Sequence, residues 1–189
     1  MTKQNIKYIV IGGSAGSFKG ITKIISKIPK DFPLPIIVCL HRLKHIRSGF
    51  VEALELKSNM HIIEPTDKMH ISAGKIYLAP ANYHLIVELG NYFSLSTTEN
   101  VNHSRPGIDI TLESAAKIFR KKMVGILLSG ANKDGAKGMK SIAQNGGVTI
   151  IQDLSTCQAK TMPDAAKKIA KIDYEYNIDQ IINYINKLK

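Results

Sequence analysis

Short apolar runs recur along the chain, and most are followed by segments whose apolar residues return at helical spacing. The runs are Tyr8–Ile11, Ile36–Leu40, His61–Glu64, Met123–Leu128 and Thr149–Ile151. A brief apolar run bounded by turn signals is the pattern of a strand buried on both faces, as in a parallel sheet. Between these runs the spacing predicts helices over Ser17–Ile28, Ile46–Leu56, Ile108–Lys121 and Gly135–Gln144, with a closing amphipathic helix over Ile178–Leu188. Strands alternating with helices predict an α/β fold: a doubly wound, mostly parallel sheet. The middle of the chain breaks the alternation. Lys75–Ala79, His84–Glu88 and Tyr92–Ser96 read as short strands joined by tight turns such as Gly90-Asn91, which predicts a short antiparallel β-meander inserted into the sheet. Repeats, low-complexity tracts and linkers are absent, so residues 1–189 are expected to form a single domain.

Composition narrows the class. A chain of 189 residues with 44% apolar content is long enough to bury a sizeable core. It has no apolar run of about 18 residues, and Met1-Thr2-Lys3-Gln4-Asn5 leads into no signal-peptide core. The expectation is a cytoplasmic protein with no membrane insertion. Cys39 lies inside an apolar run and Cys157 in a polar context, so a disulfide framework is not expected. The net charge of +11 has two readings. One is a lysine-rich solvated surface; the other is attraction to an acidic partner. Helix-turn-helix, zinc-ligand and RNA-binding sheet motifs are missing, so nucleic acid is not the expected partner and an acidic protein is.

The candidate chemistry begins where the first strand ends. Val10-Ile11 runs into Gly12-x-Ser14-x-Gly16, and a helical pattern follows from Ser17. Glycines permit a sharp strand-to-helix turn, and a helix N-terminus offers N–H groups to a developing oxyanion, so this is a place for a nucleophilic serine. The same letters also fit a plain tight turn. A dinucleotide fingerprint is disfavoured because Ser14 stands at its second glycine, and a P-loop because no Lys-Ser or Lys-Thr pair has the required spacing.

His41 and Asp134 occupy equivalent places. His41 directly follows Ile36–Leu40, and Asp134 follows the loop after Val124-Gly-Ile-Leu-Leu128. In open α/β sheets ligands gather at the carboxyl ends of strands. A serine needs a base to take its proton, and a histidine needs an acceptor to fix its tautomer, so Ser14, His41 and Asp134 can be read as a catalytic triad. Simpler roles remain for each: a hydrogen-bonded loop histidine, and an aspartate capping the helix that follows it. His41 and His45, four apart, could also suggest a metal, against which stand the neighbouring Arg42 and Lys44 and the lack of a nearby third ligand.

Several blocks in order carry a family resemblance. They are Ile11-Gly-Gly-Ser14-Ala-Gly16; His41 after its strand; Gly74-Lys-Ile-Tyr-Leu-Ala-Pro80-Ala-Asn-Tyr-His84; Arg105-Pro106-Gly-Ile-Asp109; Ser129-Gly130-Ala-Asn-Lys-Asp134-Gly135-Ala136-x-Gly138; Gly146-Gly147-x-Thr149-x-x-Gln152-Asp153; Thr156-Cys157; and Met162-Pro163-x-x-Ala166. From about residue 8 to 185 the chain resembles the catalytic domain of chemotaxis protein-glutamate methylesterases, the CheB family. The resemblance implies Ser14 as nucleophile, His41 as base and Asp134 as the third member, on a parallel doubly wound sheet with an antiparallel excursion. It implies hydrolysis of glutamyl γ-methyl esters on chemoreceptor-like proteins to glutamate and methanol, with glutamine deamidation as an analogous second activity and no cofactor or metal.

Departures from the family pattern are Ala15 and Ser17 in place of its Thr-Gly-Gly sequence, Ala131-Asn132 in place of Met-Gly, Gly107 in place of Ser, and Thr161 in place of Gly. The phosphoacceptor receiver domain of well-known members has no counterpart in these residues, which implies constitutive activity or a separate response regulator acting in trans. Oxyanion donors are expected among backbone N–H groups around Ala15 and the end of the His41 strand. Arg105 is a candidate for positioning an acidic substrate, with a structural salt bridge as its alternative role. Two other functions remain in view: a catalytically degenerate module binding an acidic protein, motivated by Ala15, Ala131 and Asn132, and a small-molecule carboxylesterase.

Overall fold

A computed structural model describes residues 5–41 and 49–188. Along the chain come β1 (Tyr8–Gly13), α1 (Phe18–Lys27), β2 (Ile36–Leu40), α2 (Phe50–Glu55), β3 (His61–Ile63), β4 (Lys75–Leu78), β5 (His84–Glu88) and β6 (Tyr92–Ser96). Then follow α3 (Ile108–Phe119), β7 (Met123–Leu127), α4 (Ala136–Gln144), β8 (Val148–Gln152), α5 (Thr161–Ile169), β9 (Tyr174–Tyr176) and α6 (Ile178–Asn186). The expected helix over Ile46–Leu56 appears as α2 in its later part, and its residues 46–48 lie outside the described residues.

The main sheet has the order β3-β4-β2-β1-β7-β8-β9, and every neighbouring pair is parallel. Strand alternation divides the core. Ile9 and Ile11 face one side with Ile36, Val38, Val124 and Ile126, covered by apolar residues of α1, α2 and α6. Val10, Ile37, Cys39, Leu127 and Ile151 face the other, covered by α3, α4, α5 and the β5–β6 hairpin. Both faces are therefore covered, which is why these strands are apolar without alternation. In α1, Ile21, Ile24 and Ile25 form the buried stripe, and burial of each such side chain stabilises by roughly 1.5–3 kcal/mol.

The predicted meander is corrected in one respect. β5 and β6 pair antiparallel as a separate two-stranded sheet, but Lys75–Leu78 joins the main sheet, parallel to both β2 and β3. The reason lies in its residues: Ile76 and Leu78 fill one core and Tyr77 the other, so this strand is buried on both faces. Two elements were not expected at all. α5 begins with Thr161-Met162-Pro163, and β9 is a three-residue edge strand against β8.

Strand order reverses direction at β1. The chain runs outward from β1 through β2 to β4 and β3, then returns to the far side of β1 at β7 and continues to β8 and β9. The carboxyl ends of β1 and β7 thus form a switch point, the place where such sheets leave an open crevice.

Candidate active site

Ser14, His41 and Asp134 meet at that switch point, each carried beyond the carboxyl end of one of three adjacent strands, β1, β2 and β7. His41 Nε2 lies 2.8 Å from Asp134 Oδ2, and His41 Nδ1 lies 3.1 Å from Ser14 Oγ. An ionised carboxylate only accepts, so Nε2 carries the proton and the Nδ1 lone pair faces the serine hydroxyl. The ring nitrogens have exchanged the parts they take in the serine-protease arrangement, where Nε2 faces the serine. His45 lies outside the described residues.

The Ser14 backbone is fixed on every side. Its N–H donates to the Ser129 carbonyl at 2.9 Å, and its carbonyl accepts from Ser17 N at 3.0 Å and Ser17 Oγ at 2.7 Å. Ser129 Oγ donates to the Ala15 carbonyl at 2.8 Å. Gly16 has φ +80°, and a Cβ there would sit 2.5 Å from the Gln158 Cβ, so the turn requires glycine for both conformation and space. The described hydrogen bonds leave the Ala15 N–H unclaimed, available to an oxyanion beside Ser14. The expectation for the His41 strand end changes: the His41 N–H donates to the Gly13 carbonyl at 3.2 Å, as a sheet bond.

Asp134 is fully buried and surrounded by donors. Besides His41, Oδ2 accepts from Ile108 N at 2.7 Å. Oδ1 accepts from Asp109 N at 2.9 Å, Gly135 N at 3.0 Å and Asn102 Nδ2 at 3.1 Å. Burial raises the carboxyl pKa, but the His41 bond and the Asp109 and Ile108 N–H groups outweigh it, and the group ends below its ordinary value. Ile108 and Asp109 form the first turn of α3, so Asp134 caps the N-terminus of α3 rather than that of the following helix, and the helix field favours its negative charge.

Several residues around Ser14, His41 and Asp134 escaped sequence reasoning. Ser104 and Asn102 sit on the segment between β6 and α3, which carries no regular element to signal its course. Ser104 Oγ lies 3.2 Å from His41 Nδ1, so a second hydroxyl faces the same lone pair. Asn102 reaches Asp134 from a backbone with φ +48°. The buried His84 pins both ends of this segment: its Nε2 donates to the Glu99 carbonyl at 2.9 Å, and its Nδ1 accepts from Gly107 N at 3.0 Å. Asn132, one of the departures, is also built in. Its Oδ1 accepts from Asp134 N at 3.1 Å and its Nδ2 donates to the Asn102 carbonyl at 3.3 Å.

Arg105, a candidate for positioning an acidic substrate or for a structural salt bridge, makes backbone contacts and no ion pair among those described. Its guanidinium donates to the carbonyls of Thr97 and Thr98, the latter at 2.8 Å. It holds the start of the same segment, through carbonyls rather than a carboxylate. Burial pushes the Cys157 thiol up to about 11, so it is an inert core group rather than a nucleophile.

Comparison with known proteins shows the family. Residues 9–185 match the family described as CheB methylesterase. A Leptospira interrogans protein provisionally named protein-glutamate methylesterase/protein-glutamine glutaminase is 37% identical over 184 residues, 97% of this chain and 95% of its own length. A Clostridium acetobutylicum protein-glutamate methylesterase/protein-glutamine glutaminase is 34% identical over 188 residues, and the match spans 54% of that protein. The crystal structure of the Thermotoga maritima CheB methylesterase catalytic domain superposes with a TM-score of 0.91 at 31% identity, covering 97% of this chain and 99% of that one. The chain belongs to the CheB methylesterase family.

Proposed function

We propose that this chain hydrolyses γ-methyl esters of glutamate on methylated chemoreceptor-like proteins, releasing methanol, with Ser14, His41 and Asp134 as its catalytic triad. The observation that carries the reading is the unbroken relay Ser14 Oγ, His41 Nδ1, His41 Nε2, Asp134 Oδ2, with contacts of 3.1 and 2.8 Å. Ser14 Oγ attacks the ester carbonyl as its proton passes to His41 Nδ1. The imidazolium so formed is held by Asp134 through Nε2–H, and the tetrahedral oxyanion by the Ala15 N–H. The Nδ1 proton then goes to the departing methoxide, which leaves as methanol. A water molecule, activated by the same nitrogen, cleaves the glutamyl-enzyme to glutamate and free Ser14. An amide in place of the ester yields ammonia by the same steps, which accounts for glutamine deamidation as a second activity. Arg105 holds the Thr97–Thr98 backbone through Nη1, which leaves the rest of its guanidinium to position an acidic substrate.

The test is methanol release from a methylated receptor fragment by the native chain and by Ser14→Ala. Release is expected from the first and only background from the second. Equal release from both would exclude Ser14 as the nucleophile. A folded native chain that releases nothing from a fragment confirmed to be methylated would exclude this substrate.

A further inference from the structure

Behind the triad lies a second buried carboxylate that the relay does not use. We propose that Asp109 is a positioning residue for esterolysis: bridged to Asp134 by the Asn102 amide and seated on the N-terminus of α4, its carboxylate sets a second negative charge behind the His41–Asp134 pair and makes turnover depend on its own ionisation. The proposal rests on the esterase reading above.

The two aspartates exchange helices. Asp134, just ahead of α4, caps α3 through Ile108 N and Asp109 N; Asp109, in the first turn of α3, caps α4 through Gly138 N at 2.9 Å. Asn102 Nδ2 has two hydrogens and meets both carboxylates, at 3.1 Å from Asp134 Oδ1 and 3.3 Å from Asp109 Oδ2. Any tilt of one side chain is therefore transmitted to the other through a shared donor and two packed helices. Asp109 is 4% exposed, and the described ion pairs give it no cation. A neutral asparagine or serine could accept the Gly138 N–H without the cost of burying a charge. An acid at this place calls for an account beyond capping.

Electrostatics supplies one. Asp109 is pushed up to about 6, first by burial and then by the charges that face it: Asp134 from the loop before α4, and Glu113 one turn along its own helix. It therefore changes charge within a working pH range, while its neighbour Asp134 stays ionised. In the ionised state the extra negative charge favours the imidazolium that forms on His41 during attack. In the protonated state that help is withdrawn.

Three measurements decide the proposal. The native chain should show an acid-side inflection in kcat near the Asp109 ionisation. In Asp109→Asn the part of that inflection due to Asp109 should vanish, leaving only the acid-side loss of the neutral His41 base; kcat at high pH should fall on the order of tenfold, and KM should stay within about twofold, as expected for a charge acting on the transition state alone. Asp109→Glu should restore the inflection. A folded Asp109→Asn enzyme with native kcat and native pH profile overturns the proposal. If the variant does not fold, carboxyl carbon-13 NMR on the native chain decides: Asp109 should titrate well above an ordinary carboxylate, with the His41 ring signals moving in step. An ordinary titration, or His41 signals indifferent to it, overturns the proposal. The NMR result needs no turnover, so it stays separate from a failure of the esterase reading, which Ser14→Ala exposes.

Discussion

Asp134 accepts from the His41 ring, from the backbone of Ile108, Asp109 and Gly135, and from Asn102, so every hydrogen bond of its carboxylate among the described residues is with a donor. An amide NH₂ at this place would face one of those donors whichever way it turned. Asp134→Asn should lower kcat by about 10⁴-fold, through loss of the tautomer that aims the base at Ser14. It should also destabilise the protein by roughly 1–3 kcal/mol, as urea unfolding would show. The two aspartates have opposite effects on stability as pH changes. The folded-state pKa of Asp134 is depressed, so its stabilising contribution is present above the ordinary carboxylate range and is lost as pH falls below it. That of Asp109 is raised to about 6, so its contribution is fully present at and below the ordinary carboxylate range, near pH 4, and is lost as pH rises through 6. A displacement of that size corresponds to roughly 3 kcal/mol. Unfolding free energy should fall between about pH 4.5 and about pH 7.5 by roughly 2 kcal/mol through Asp109, part of the loss having come before pH 4.5 as the unfolded carboxyl ionises, and the drop should shrink in Asp109→Asn.

Elements differ in how they bear on the site. α3 and α4 approach so closely that a Cβ on Gly138 would lie 2.4 Å from the Leu112 Cβ. Gly138→Ala should force the helices apart, costing about 1–3 kcal/mol, and should lower kcat as well, because the separation disturbs both aspartate caps. Asn177 makes a useful contrast. It closes a capping box with Gln180 at the start of α6, on the opposite face of the sheet from α3 and α4. Asn177→Ala should cost about 1 kcal/mol in thermal or urea unfolding and leave kcat unchanged. Long periodic elements such as α1, α3 and α4 were legible because burial leaves a 3.6-residue stripe. α5 was not, since Pro163 in its first turn hides a helix start that proline in fact tolerates. β9 is three residues long with Glu175 exposed between two tyrosines, too short to establish a period.

At the scale of the whole molecule, a net charge of +11 should act on encounter with the proposed acidic substrate rather than on the bond-breaking step. Raising ionic strength from about 0.05 to about 0.5 M should raise KM for a methylated receptor fragment several-fold while kcat holds, because the screening length contracts to a few ångströms. KM for a small neutral ester should not move. Steady-state kinetics on the two substrates separate this steering from salt effects on the fold. Among the described residues no helix is long and apolar enough to cross a membrane.

The sequence by itself determined the α/β alternation, the doubly wound sheet and the three residues that meet at its switch point. Those features are local: strand burial leaves unbroken apolar runs, and Ser14, His41 and Asp134 each stand just beyond the end of one. Only the tertiary structure decided that Lys75–Leu78 joins the parallel sheet, because which partner a short apolar strand takes depends on the surfaces it must fill on both sides. It alone decided that Asn102 reaches Asp134 and Ser104 reaches His41, that Arg105 turns to the Thr97–Thr98 carbonyls, and that Asp109 stands behind Asp134. Those contacts join residues from an irregular segment to others far along the chain, and hydrogen bonds of that kind leave no periodic trace in the order of amino acids.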